Sequence, residues 1–186
     1  MTTIAFAVLI ATLVAAALVF QVVRAWLQMR GTRLVTCPET NALAAVEVDL
    51  RHLAATSVAG FRELRLRDCS RWPEKQRCGQ MCLGEIEEAP HDCLVREVLR
   101  RWYEGKSCVL CGHAIGLIHW HDHQPALKAA DDRIWEWDEI PAEHLPRLLT
   151  RARAVCWNCM IAEGFRRDHP DLVVERPRVR RPAHPH

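Results

Sequence analysis

The sequence carries no excess of charge of either sign: 25 Lys and Arg stand against 23 Asp and Glu in 186 residues. That balance removes the electrostatic case for nucleic acid, and none is expected as a partner. No charged residue occurs from Thr2 to Val23, and no Lys or Arg precedes that run. A cleaved signal peptide normally opens on a basic segment and closes on a small-x-small cleavage site, and this N-terminus has neither. There is no Gly-rich phosphate loop, no Gly-x-Ser-x-Gly and no Cys-x-x-Cys-His haem attachment. The last fails by one residue, because Gly112 separates Cys108-x-x-Cys111 from His113. Tyrosine occurs once and phenylalanine four times, whereas cysteine occurs nine times and tryptophan seven. An odd number of cysteines argues against a fully paired disulfide framework.

What the N-terminus does contain is an apolar run, almost unbroken from Ile4 to Phe20. Some 20 such residues span a hydrocarbon core about 30 Å thick as a helix. Residues 1–30 are therefore expected to be a single transmembrane anchor that meets the lipid bilayer through residues 4–23. Arg24, Arg30 and Arg33 crowd its C-terminal flank, and Trp26 sits where an interfacial aromatic belongs. The positive-inside rule then puts Met1 outside and everything after Arg24 in the cytoplasm. A reducing compartment keeps thiols free, which turns attention from bridges to metals.

Residues 34–104 form a first cysteine-rich module. Leu34 to Thr40 is expected to run as a strand into a turn stopped by Pro38. Val46-Glu47-Val48-Asp49-Leu50 and Leu64-Arg65-Leu66-Arg67 alternate apolar and charged residues, the period-two pattern of a half-buried strand. A small antiparallel sheet would bring Cys37 and Cys69 to neighbouring strand ends. Cys78 and Cys82, four apart, would share one face of a helix after Trp72-Pro73. Cys37, Cys69, Cys78 and Cys82 are then a candidate four-sulfur site for zinc or an iron–sulfur cluster. Their spacing matches neither ferredoxin pattern. A further helix is expected from Pro90-His91-Asp92 to about Tyr103, stopped by Gly105, with Leu94, Val95, Val98, Leu99 and Trp102 as its core stripe. Cys93 would lie in its first turn, as a dipole-favoured thiolate or as a small buried hydrophobe.

Residues 105–169 hold the better metal signal. Cys108-Val109-Leu110-Cys111-Gly112 and Cys156-Trp157-Asn158-Cys159 are two Cys-x-x-Cys knuckles, and together they offer the four thiolates of a closed tetrahedral zinc site. Between them, residues 114–120 and 133–137 are expected as two strands, and 141–149 as a short helix kinked by Pro146. The second knuckle leads straight into a helical stretch from Met160 to Arg167. Knuckle, hairpin, then a helix whose first turn carries the last two ligands: residues 107–169 resemble a treble-clef zinc finger, a scaffold that implies a structural metal and no particular activity. The remaining residues, 170–186, are rich in Arg and Pro and read as a disordered basic tail.

The loop Ile118-His119-Trp120-His121-Asp122-His123-Gln124-Pro125 is the one dense cluster of catalytic-type residues. Between two knuckles, Asp122-His123 resembles the Asp-His pair of HNH nucleases. That resemblance would make Asp122 a ligand of a divalent ion and His123 a general base. The central Asn of that motif is missing between His123 and Cys156, and Met160 stands where a second Asn is usual. No catalytic residue is assigned, and the balance falls against an enzyme. His121 and His123 on a solvent-facing loop are the plainer reading. More widely, Thr36-Cys37-Pro38-Glu39-Thr40, Cys69-Ser70-Arg71-Trp72-Pro73-Glu74 and Val155-Cys156-Trp157-Asn158-Cys159 resemble uncharacterised membrane-anchored, cysteine-rich bacterial proteins over most of residues 34–169. The sequence thus predicts an α+β protein: a transmembrane helix followed by a small cysteine-rich domain with a zinc-ribbon or treble-clef-like module. Its expected role is that of a zinc-binding accessory or scaffold beside a membrane-protein partner. The alternative is an iron–sulfur electron carrier at a respiratory complex.

Overall fold

In the computed structural model, residues 2–74 and 78–172 are described. The first of them form α1, Thr2–Met29. No glycine or proline interrupts this stretch. At 1.5 Å per residue its 28 residues extend about 42 Å, more than a hydrocarbon core requires. Thr3–Met29 has a mean hydropathy of 2.7 in its most apolar window, and none of that window is buried against the rest of the chain. By length and composition the helix can cross a membrane. It ends at Met29, and two residues on Gly31, with a φ of +102°, turns the chain away.

Two strands follow, β1 (Arg33–Cys37) and β2 (Ala42–Val48), paired antiparallel through a turn in which Asn41 takes the left-handed conformation. The expected strand at Val46–Leu50 is the end of β2 only. Asp49 accepts the N–H groups of Arg51 and His52 and so caps α2, Leu50–Val58, a helix that the alternating pattern concealed. The chain returns as β3 (Leu66–Cys69), giving the order β1-β2-β3. Cys37 and Cys69 therefore sit on the two outer strands and are not on neighbouring ones. Cys37 faces Ala42 of β2, while Cys69 faces Val46.

Two further expectations change in the next stretch. Cys78 and Cys82 share no helix, because Gln80 between them has a φ of +53° and α3 (Leu83–Glu88) starts only after Cys82. Cys93 likewise precedes its helix: α4 runs Val95–Tyr103 with Leu94 as the extended residue before it. Cys93 accordingly lies outside the first turn of that helix and is buried in the core, where burial pushes its thiol up. Gly105, at φ +70°, stops the chain after α4 as expected.

The second sheet is built from shorter pieces, β4 (Ala126–Lys128), β5 (Ile134–Trp135) and β6 (Arg153–Val155), in the order β5-β4-β6. Residues 114–120 form no strand; Ala114 alone bridges to Ser107. The knuckle uses this edge to close on itself, and beyond it Leu117 is 92% exposed with no strand beside it. A single 3-10 turn at Ala142–His144 leads into α5 (Leu145–Leu149), so Pro146 falls in a first turn, where its missing N–H costs nothing. Then α6, Trp157–Asp168, completes the fold. Of the basic tail, Pro170–Leu172 makes one 3-10 turn and residues 173–186 lie outside the described residues.

Among the described residues, three apolar clusters hold these elements. The first packs the end of α1 (Ala25 and Met29) onto the first sheet, α2, Ile86 and Cys93. The second joins Leu34 of β1 to Val95, Leu99 and Tyr103 of α4 and to Leu127, Leu145, Leu149 and Ala154. The indole N–H of Trp102 reinforces that junction by donating to the Leu149 carbonyl at 2.9 Å. The third gathers Cys108, Ala126, Val155 and Met160.

Candidate metal centre

Local backbone bonding shapes the first knuckle. The amide of Cys108 donates to the His113 carbonyl at 2.8 Å, that of Gly112 to Cys108 at 2.8 Å, and that of Ile115 to Lys106 at 2.9 Å. Gly112 closes the turn at φ +77°, a conformation in which a side chain would be strained. Val109 then donates to the Ala154 carbonyl at 2.9 Å, tying the knuckle to β6. β6 pairs with β4 and delivers Cys156, the extended residue that caps α6, and Cys159 follows in the helix's first turn.

These elements bring four sulfurs together. The Sγ atoms of Cys108, Cys111, Cys156 and Cys159 all lie within 4.8 Å of one another. Cys111 and Cys156 are 3.7 Å apart, sulfur to sulfur. A tetrahedron with metal–sulfur arms of about 2.3 Å has edges of about 3.8 Å, so the spacing fits a four-thiolate ion. Cys108 is buried and Cys111 faces solvent, so the centre sits at the surface with its back to the third apolar cluster.

The charges point the same way. Burial alone would push the Cys108 thiol up, but the backbone N–H groups of Cys156, Cys111 and Leu110 draw it down to about 6. Burial pushes Cys156 and Cys159 up; the Cys108 and Cys111 sulfurs add to both shifts, while Cys159 draws Cys156 partly back. Four adjacent thiolates repel one another; a divalent cation at their centre is what allows all four to ionise together. The residues present therefore fit a metal.

Cys37, Cys69, Cys78 and Cys82 are arranged differently. Cys82 is the residue before α3, and burial together with the nearby sulfurs of Cys69, Cys78 and Cys37 pushes its thiol up to about 11. Cys69 is raised by burial and by Cys78 and Cys37. The four thus share one electrostatic neighbourhood. Among the described residues, however, the cluster drawn to mutual ligand distance is the one at Cys108, Cys111, Cys156 and Cys159.

The histidine loop is open. Asp122 and His123 are each about two-thirds exposed, and their side chains face each other at 3.3 Å, Oδ2 to Nδ1. His123 takes a φ of +52° and sets its ring edge-on to Trp157, 5.6 Å between centroids. His113, His119 and His121 are exposed as well.

The residue that sequence reasoning overlooked is Arg33. It appears in the sequence as a third flanking charge, yet it is fully buried. Its guanidinium donates to the carbonyls of Met29 (2.6 Å), Gln28 (2.7 Å) and Gly31 (3.1 Å), capping the C-terminus of α1. Cys93 lies close enough for its sulfur to act on the same guanidinium. Its position directly before the apolar pair Leu34-Val35 was the one available hint. No protein-family model, no curated protein and no solved structure matches the chain.

Proposed function

We propose that this chain is a single-pass membrane protein whose cysteine-rich part is held together by structural zinc, and that it serves as an accessory or scaffold for a membrane partner. The mutual approach of Cys108, Cys111, Cys156 and Cys159 carries the reading, because four thiolates with no open position suit a structural ion better than a catalytic one. The order of knuckle, β4–β5 hairpin, β6 and α6 supports a treble-clef-like module. Exposed Arg24 and Arg30 at the end of α1 support an external N-terminus and a cytoplasmic domain. The buried Arg33 adds nothing to that argument. Cys37, Cys69, Cys78 and Cys82 are proposed as a second metal site on the strength of their shared electrostatic neighbourhood. A structural zinc ion contributes on the order of 10 kcal/mol to folding, enough to make a small module depend on it.

The test is elemental analysis with an absorption spectrum on the full-length protein in detergent. Zinc without visible absorbance is expected, and Cys156→Ser should lose one equivalent of it and melt the third apolar cluster. A Cys156→Ser protein with unchanged metal and melting would overturn the site. Iron with visible absorbance would replace zinc by the electron-transfer alternative.

A further inference from the structure

Where α2 ends, the chain lies against the last turns of α1. Ala59 and Gly60 close α2 by donating to Ala55 and Ser57, and Gly60 at φ +91° swings the chain so that the Phe61 amide reaches the Thr56 carbonyl. The turn leaves Val58 57% exposed and Phe61 58% exposed. Both are large apolar side chains that the protein leaves more than half uncovered.

Their position relative to α1 is fixed. Gln21, Arg24, Ala25 and Gln28 of α1 line one side of a cleft, and Ser57, Gly60, Phe61 and Arg62 line the other. The uncharged run of α1 ends at Val23, so Arg24 marks where the helix leaves hydrocarbon. Phe61 therefore stands at the height of that boundary, with Arg62 next to it. On α1 the same level carries Trp26, 44% exposed, with the Arg30 guanidinium 5.5 Å from its ring centroid. The loop's acidic residue, Glu63, turns to His52 at 3.2 Å. An apolar tip, a tryptophan and three arginines, with Arg24 and Arg30 about 9 Å apart along the axis of α1, fall within a band that matches the interfacial zone of a bilayer, where rings sit among headgroups and arginines meet lipid phosphates.

We infer that the turn at Val58–Phe61 is a second membrane contact: it dips into the headgroup region of the leaflet that α1 leaves, with Arg24, Arg30 and Arg62 on anionic lipid. The inference rests on the membrane-anchor reading of α1. Its consequence is that the cysteine-rich part is held against the bilayer surface at two points and does not swing on a single helix.

The test uses the full-length chain in phosphatidylcholine vesicles containing phosphatidylglycerol. The photo-crosslinker p-benzoylphenylalanine replaces Leu13, Phe61 or Leu117 in turn. Leu13 lies inside the expected span, and Leu117 is the most exposed large apolar residue elsewhere in the described chain. Irradiation should give lipid adducts by mass at positions 13 and 61 and none at 117. An adduct at 13 without one at 61 overturns the second contact and leaves the anchor standing. Adducts of similar yield at 61 and 117, or capture of a second copy of the chain at 61, also overturn it. No adduct at 13 overturns the anchor itself, and the inference with it.

Discussion

Replacing Arg33 is the sharpest way to ask whether α1 and the first sheet form one unit. The guanidinium is fully buried; two of its three bonds go to the Gln28 and Met29 carbonyls at the end of α1, which have no later turn of helix to bond to, and the third to Gly31 just beyond. Burial draws the pKa of Arg33 down from its usual value, and the neighbouring Cys93 sulfur works against that. A hydrogen bond from a charged donor contributes about 1.5–3 kcal/mol, and three of them share one desolvation cost. Truncating a large buried side chain to Ala typically costs about 2–5 kcal/mol, the cavity adding to the cost of the carbonyls left unpaired. Arg33→Ala should fall in that range, a large part of the roughly 5–15 kcal/mol that a domain has to lose. Arg33→Met keeps most of the volume and removes the charge's desolvation cost, so about 1–3 kcal/mol is expected from the carbonyls left unpaired. Arg33→Lys should fall between the two, since an ammonium cannot fork across the carbonyls of Gln28 and Met29. Urea unfolding followed by tryptophan fluorescence, at fixed free zinc so that metal binding does not move the midpoint, gives these differences. Hydrogen exchange should show the end of α1, near residues 26–31, losing protection in the same order. An Arg33→Ala protein within about 0.5 kcal/mol of the parent, the ordinary range for surface substitutions, with that protection intact, would refute the argument.

Two smaller substitutions probe the fold at other points. Asp49→Ala removes the cap of α2 and should cost about 1 kcal/mol by urea unfolding. The N–H groups of His52 and then Arg51 hold the Asp49 carboxyl below its usual range, so its contribution is complete above the unfolded carboxylate pKa of about 3.9. The gap between parent and Asp49→Ala should therefore close as pH falls through the lower folded value; a gap that persists in acid would refute the cap. Tyr103→Phe should be neutral, or stabilising by up to about 1 kcal/mol, because the buried hydroxyl has no hydrogen-bond partner among the described residues and burial pushes its pKa up. A loss above about 1 kcal/mol would show that this hydroxyl is satisfied in solution.

How much of the fold was legible depended on how local each signal was. The run from Ile4 to Phe20 and the stop at Gly105 act on their own residues, and both appear where expected. The period-two pattern at Val46–Leu50 was right for three residues and then misled. Asp49 serves equally well as the charged member of an alternation and as a helix cap, and only the return path to β3 decides between them. Cys78 and Cys82 illustrate the same limit. Spacing of four suits a helix face, but Gln80 adopts a left-handed conformation that breaks the helix before it begins, and its side chain accepts the Leu66 amide from β3 at 2.9 Å. That contact crosses 14 residues of sequence. No window of periodicity contains it.

The same contrast separates the two sets of sulfurs. In the first knuckle the chain needs only its own amides and Gly112 to aim Cys108 and Cys111 at one point, and in the second the start of α6 does so for Cys156 and Cys159. Each pair is a local object, so one tertiary step, the pairing of β6 with β4 that sets Cys156 beside the first knuckle, suffices to make a tetrahedron. Cys37, Cys69, Cys78 and Cys82 arrive singly, from the end of β1, the end of β3, an irregular segment and the residue before α3. Four independent placements must agree before such a set reaches ligand distance, and each has its own backbone entropy to overcome. An ion binding there would have to draw the four together and would spend part of its binding energy on that ordering. At Cys108, Cys111, Cys156 and Cys159 the approach is already made, so more of the binding energy goes into stability. The preassembled centre should therefore hold its ion the more tightly of the two.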